Sequence, residues 1–186
     1  MKMYYFLRQN IFKPFNIIEF TTPASEDTIS LWIEGKELQA PRSPLLCMLN
    51  SKPNAQFGDY FDTTIPIMSH RLIAHLENLG VCNFDQFPVV FKSPITGEEF
   101  NTHSAVYFKG IYDAIDLTQS TYKLRFGKPY FSGQIILDPA KVGELAAFRL
   151  ATGPGFLVVI DSIAKALEAT KYKATLLQPT HDYEGM

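Results

Sequence analysis

Apolar residues recur along this chain with two periods, and the longer period predicts helices. After Ser69, every third or fourth position is apolar for about ten residues, as on the buried face of an amphipathic helix. These positions are Leu72, Ile73, Leu76 and Leu79. Ser69 can cap the first free N–H groups, and Gly80 can take the left-handed conformation that ends a helix. We therefore predict a helix between these two residues.

A strand-helix-strand unit follows near the end of the sequence. Phe156–Ile160 is a continuous apolar run, typical of a strand that is covered on both faces. Asp161 or Ser162 then caps a second helix, and Ala174–Gln178 returns as a strand that Pro179 ends. The predicted buried face of this helix carries Ile163, Ala166, Leu167 and Thr170.

Shorter segments with a period of two, or rich in aromatic residues, predict further strands. Met3–Leu7 is aromatic, and Ile29–Ile33 alternates apolar and polar positions. Phe87–Phe91 and Phe100–Phe108 flank a turn that contains proline and glycine, so they predict a β-hairpin. Gln134–Leu137 predicts one more strand.

Together these elements predict an α+β fold, in which two principal helices pack on a mixed, mostly antiparallel sheet of about six to eight strands. A chain of 186 residues is long enough for a single domain with a full core. We divide this domain, residues 1–186, into N-terminal strands and an irregular connection (1–62), a core (63–179) and a polar tail (180–186). The irregular part lies between Pro41 and Phe61, where prolines and polar residues show no sustained period.

Charge, cysteine content and hydropathy narrow the classes of function. The net charge of -2 is too small for an electrostatic nucleic-acid surface, so we expect no nucleic-acid partner. The two cysteines, Cys47 and Cys82, favour free thiols in a reducing compartment. Arg8 interrupts the first apolar run, and no later run is long enough to cross a bilayer. We therefore expect a cytoplasmic protein with no membrane partner.

Motifs for common catalytic and cofactor sites are incomplete in this sequence. His70 and His75 are five residues apart, whereas metal ligands that share a helix face are three or four apart. The sequence around Ser132 lacks the first glycine of a nucleophile elbow. His103 and His181 each lie near acidic residues, and we interpret both as exposed polar side chains. We predict no catalytic centre, no metal site and no cofactor.

Asp113 and Asp116 are candidates for a paired-carboxylate site. They would share one face if the backbone were helical, as the acid–base or metal chemistry of a small enzyme would require. The other interpretation is a capped turn, in which the side chains of Asp116, Thr118 and Ser120 compete for hydrogen bonds with the backbone. We favour the turn, and keep a small enzyme as one alternative function and a structural or adaptor protein as another.

The segment Tyr122–Phe131 interleaves aromatic rings with cations. Its candidate partner-binding residues are Tyr122, Arg125, Phe126, Tyr130 and Phe131. This composition is typical of protein interfaces and of platforms for single-stranded nucleic acid, but also of an amphipathic strand followed by a turn. Because the chain lacks the excess positive charge that nucleic-acid binding requires, a protein is the favoured partner of the two.

The order of hydrophobic and turn positions between Ile65 and Pro179 resembles that of a known family. The landmarks are Ile65–Ser69, Leu79-Gly80, Phe87–Val90, Thr96-Gly97, Asp113–Leu117 with Ser120, Ile135–Asp138, Phe148–Leu150 and the strand-helix-strand unit from Phe156. In this order they resemble the eleventh immunity family of bacterial polymorphic-toxin systems. The resemblance implies an immunity protein that binds a cognate toxin, made by the same bacterium or delivered by its kin, and blocks it without turnover. It implies no catalytic residue and leaves the oligomeric state open.

Overall fold

The computed structural model describes residues 2–11, 20–21, 34, 36, 43–50, 57–63, 65–152 and 155–185. Over these residues the fold is α+β with mostly antiparallel sheets, one of them mixed, and two principal helices, which confirms the predicted fold class. The strands are divided among separate sheets. The predicted strand Ile29–Ile33 lies outside the described residues.

The described residues contain twelve strands, three α-helices and one 3-10 turn. The strands are β1 (Tyr4–Gln9), β2 (Phe20–Thr21), β3 (Leu45–Leu49), β4 (Tyr60–Phe61), β5 (Ile67–Ser69), β6 (Phe84–Lys92), β7 (Glu99–Phe108), β8 (Tyr122–Arg125), β9 (Lys128–Phe131), β10 (Ala147–Arg149), β11 (Leu157–Ile160) and β12 (Thr175–Pro179). The helices are α1 (His70–Asn78), α2 (Pro139–Val142) and α3 (Asp161–Thr170), and the 3-10 turn is Thr180–Asp182. None of these helices is long and apolar enough to span a membrane.

The chain forms two compact units, each assembled from stretches that are distant in the sequence. Unit 1 contains the described residues of Met1–Arg8, Gly110–Thr170 and Leu176–Met186, and unit 2 those of Gln9–Lys109 and Lys171–Thr175. The prediction of a single domain stays a prediction.

Unit 1 is built on a four-stranded sheet in the order β10-β11-β1-β12. β1 pairs antiparallel with β11, so that Tyr4 lies opposite Ile160, and β10 pairs antiparallel with the other edge of β11. α3 contacts β11 and buries Ile163, Ala164 and Leu167. The predicted face of this helix is therefore confirmed in part, because Ala166 is only half-buried and Thr170 is exposed. The buried core of the unit includes Phe6, Phe148, Val158 and Tyr183.

Unit 2 contains a six-stranded mixed sheet in the order β2-β3-β6-β7-β5-β4. β6 and β7 form the predicted hairpin, with Phe84 opposite Phe108, and Gly97 takes a φ of 72° in the connecting turn. β3 pairs parallel with β6, and the other neighbours in the sheet are antiparallel. The core of this unit includes Phe61, Ile67, Phe87, Phe91 and Ala105.

α1 matches the sequence prediction at both ends. The Ser69 side chain accepts a hydrogen bond from the backbone N–H of Leu72 at 3.2 Å, and Gly80 has a φ of 84° just after the helix. Leu72, Ile73 and Leu76 are buried, whereas Leu79 is half-buried at the C-cap.

Three predictions about local structure are wrong. The described part of the stretch between Pro41 and Phe61 contains β3 and β4, which pair with other strands of unit 2, and residues 41–42 and 51–56 lie outside the described residues. Gln134–Leu137 forms a single bridge, Leu137 to Ile115, instead of a strand, since nearby N–H groups bond to loop acceptors. The predicted polar tail folds onto unit 1, where Tyr183 is buried with its ring centroid 5.7 Å from that of Phe6.

Candidate partner-binding hairpin

The predicted partner segment folds as a two-stranded hairpin in unit 1, made of β8 and β9. Phe126 and Gly127 connect the strands, with φ angles of 51° and 75°. Positive φ at both positions of a two-residue loop is the signature of a type I′ turn, whose twist matches that of the strands it joins. The hairpin is therefore a defined structure whose tip is a phenylalanine.

One face of the hairpin is apolar. Opposed residues of an antiparallel pair share a face, so Tyr122 with Phe131 and Leu124 with Pro129 lie on the same side. The Tyr122 and Phe131 rings are 5.9 Å apart, and both pack against the core of unit 1. Leu124 is 69% exposed, and Phe126 at the tip is fully exposed at 105%. The apolar face is thus buried at the base of the hairpin and exposed toward its tip.

The opposite face of the hairpin is cationic. Lys123 lies opposite Tyr130, and Arg125 lies opposite Lys128. The guanidinium carbon of Arg125 lies 3.9 Å from the centroid of the Tyr130 ring, which is a cation–π contact. No ion pair found among the described residues involves any of the three cations.

The structure brings all five predicted partner-binding residues into this hairpin, but gives them different positions. Tyr122 and Phe131 form its base, Arg125 and Tyr130 stack on one face, and Phe126 is the tip. Sequence reasoning missed the exposed Leu124 and two lysines of the cationic face, Lys123 and Lys128. The signal for them was the alternation on both sides of the Phe-Gly pair, which marks two strands rather than one.

The paired carboxylates do not form a shared helical face, because the backbone from Asp113 to Asp116 is not helical. Asp116 Oδ1 accepts hydrogen bonds from the Thr118 backbone N–H at 2.9 Å and from its hydroxyl at 2.6 Å. Asp116 Oδ2 accepts one from the Gln119 amide at 2.6 Å. These bonds from Thr118 and Gln119 lower the pKa of the Asp116 carboxyl. Asp116 therefore stabilises the turn that the sequence favoured.

His103 is buried, so its prediction as an exposed side chain is wrong. It is 2% exposed, and its Nε2 lies 2.8 Å from the Gly58 carbonyl oxygen, to which it must donate. Nδ1 is then the acceptor for the Thr102 hydroxyl at 2.9 Å. Burial lowers the pKa of His103, although the bond to Gly58 opposes this, and the neutral ring fits a structural role. Within the described residues, no cluster of three or more His, Cys, Asp or Glu side chains could hold a metal ion.

Sequence comparison with protein families and curated proteins identifies no relative of this chain. No protein-family model matches the chain, and no curated protein matches it either. The resemblance to the eleventh immunity family therefore stays a prediction.

Proposed function

We propose that this protein is an immunity protein, which binds a cognate toxin protein in the cytoplasm and blocks it without turnover. The observation that carries the proposal is the hairpin of β8 and β9, which holds exposed aromatic, aliphatic and cationic side chains on a defined scaffold. The order of sequence landmarks between Ile65 and Pro179 supports the same function.

The hairpin has the features of a binding element. Large exposed apolar side chains that are close together are typical of interaction sites, and Phe126 and Leu124 are both exposed and only two positions apart in the hairpin. Tyrosine and arginine are the residue types that most often become interface anchors, and Arg125 and Tyr130 are already stacked. Because this arrangement exists before binding, little conformational entropy has to be lost when a partner docks.

The double substitution Arg125→Ala with Tyr130→Ala tests the use of the hairpin. We expect toxin affinity to fall about thirtyfold or more, since loss of one desolvated anchor costs about 2 kcal/mol. The measurement is calorimetric titration of each variant with the purified product of the neighbouring gene, which we take as the candidate toxin. Lys141→Ala, an exposed lysine of unit 1 outside the hairpin, is the control and should bind like the wild type.

One result would count against the immunity function, and a second would count only against the use of the hairpin. If the wild-type protein does not bind the product of the neighbouring gene, the immunity function loses its basis, and an adaptor in a different operon becomes the better hypothesis. If the double variant binds with wild-type affinity, the toxin is bound elsewhere on the protein.

The paired-carboxylate enzyme is the second candidate, and the double substitution Asp113→Asn with Asp116→Asn separates it from the first. Because the Asp116 carboxylate is hydrogen-bonded within its own turn, we expect the variant to protect cells that produce the toxin as well as the wild type does. Protection is measured as survival, with melting temperature and toxin affinity measured in parallel. Loss of protection while both parameters stay unchanged would support the enzyme.

A further inference from the structure

We infer that the hairpin of β8 and β9 recognises an apolar pocket bordered by carboxylates on the partner protein. In this interaction Phe126 and Leu124 enter the pocket, and the cationic face contacts its acidic border. The inference rests on the proposed function, because it takes the toxin to be the partner.

The cationic face implies acidic groups on the partner. Lys123, Arg125 and Lys128 lie within one short hairpin, and no Asp or Glu occurs between Asp116 and Asp138. The chain as a whole carries a net charge of -2, so this positive charge is local. None of the ion pairs formed in the described part of the chain includes these cations. A complementary surface would therefore supply carboxylates and would be attracted from a distance.

The tip of the hairpin implies an apolar pocket. Phe126 has a φ of 51°, in the left-handed region where type I′ turns usually place Asn, Asp or Gly. The backbone of this bulky residue is thus in an unfavourable conformation, although its ring is fully exposed and does not pack in the core. Residues with such strained backbones are often found at functional sites. Leu124, which is 69% exposed on the apolar face, precedes this tip by two residues.

A protein pocket fits these features better than a single-stranded nucleic acid does. Base stacking needs open ring faces, and Arg125 already covers one face of Tyr130. Tyr122 is half-buried against Phe131 at the base of the hairpin. An aliphatic side chain such as Leu124 offers a base no stacking surface, whereas it fills an apolar pocket well.

Association and dissociation rates test the two faces separately. The probe is the purified product of the neighbouring gene, taken as the candidate toxin. The full-length variants are the double substitution Lys123→Glu with Lys128→Glu and the single substitution Phe126→Ala. We expect the charge reversal to slow association about tenfold or more at low ionic strength, and to weaken its dependence on salt. We expect Phe126→Ala to speed dissociation about tenfold or more and leave association nearly unchanged.

Matched controls lie outside the hairpin. Lys141→Glu changes the charge of another exposed lysine in unit 1, and Ile95→Ala removes a 73% exposed side chain from the β6–β7 turn in unit 2. Both controls should keep wild-type rates. Melting temperatures of all variants are measured first, and we expect them to agree because every substituted side chain is exposed.

The outcomes distinguish this inference from the proposed function. If the wild type binds the toxin and the hairpin variants behave like the controls, the inference is overturned and the immunity function stands. If the wild type does not bind the toxin, both are overturned. If a labelled single-stranded oligonucleotide binds through Phe126 and the lysines while toxin binding is unaffected, the hairpin is a nucleic-acid site and the inference is also overturned.

Discussion

Replacing Asp59 with alanine should destabilise the protein by about 3 kcal/mol, since it leaves buried hydrogen-bond donors without an acceptor. Asp59 is 4% exposed in unit 2. Its carboxylate accepts hydrogen bonds from the Ser69 hydroxyl and the Lys173 backbone N–H, both at 2.7 Å, and from Arg71 Nε at 2.6 Å. One side chain thus joins the start of α1 to a segment far along the chain. The free energy of unfolding is measured by urea denaturation.

The matched control is Asp85→Ala, which removes a carboxylate that is paired with Lys109 on the surface of the same unit. We expect it to cost less than about 1 kcal/mol, as exposed ion pairs do. Equal losses in the two variants would show that Asp59 contributes no more than a surface charge. Because Arg71 is itself largely exposed, water can replace its part of the interaction, and we attribute most of the loss to Ser69 and Lys173.

The Asp59 contribution should also depend on pH. Burial raises the pKa of the Asp59 carboxyl, but the hydrogen bonds from Arg71, Ser69 and Lys173 and the Arg71 charge together lower it below its usual value. A carboxyl whose pKa is lower when folded stabilises the protein above its unfolded pKa, and this stabilisation is lost as the pH falls through the folded pKa. The stability difference between the wild type and Asp59→Asn should therefore shrink below about pH 4.

Replacing Leu76 with alanine should destabilise the protein by about 2 to 5 kcal/mol, because the side chain is completely buried and its removal leaves a cavity. Leu76 lies on the buried face of α1, and this helix contacts β5 and β7. Glu77→Ala, an exposed position in the same helix, should change the stability by less than about half a kcal/mol. A Leu76→Ala loss as small as the Glu77→Ala loss, measured by the same urea denaturation, would contradict the packing of α1.

The accuracy of the sequence predictions depended on how local each signal was. α1 was predicted well because Ser69, the apolar period and Gly80 all lie within one short stretch. β3 was not predicted because it forms by parallel pairing with β6, which is distant in the sequence. The buried state of His103 depends on a carbonyl at Gly58, and no pattern around the histidine reveals that partner.

The composition of the chain identified the residues of the candidate site but not the hairpin that they form. The rings and cations between Tyr122 and Phe131 do contact one another within one hairpin, but their role in binding a partner stays a prediction. We expected at most one strand followed by a turn, and not a turn at Phe126, because this residue occupies a position that normally carries Asn, Asp or Gly. Without the turn, the two faces could not be assigned, and the exposure of Leu124 stayed hidden.

The discontinuous composition of both units has a consequence for the newly synthesised chain. β1 can pair with β11 only after β11 has been synthesised, and Asp59 can accept its hydrogen bond only after Lys173 has been synthesised. Neither unit can therefore finish folding until the ribosome has made almost all of Tyr4 to Thr175. Closing such long loops also slows folding. Under the function that we propose, protection at the moment a toxin arrives would therefore come from molecules that have already folded, and not from those still being translated.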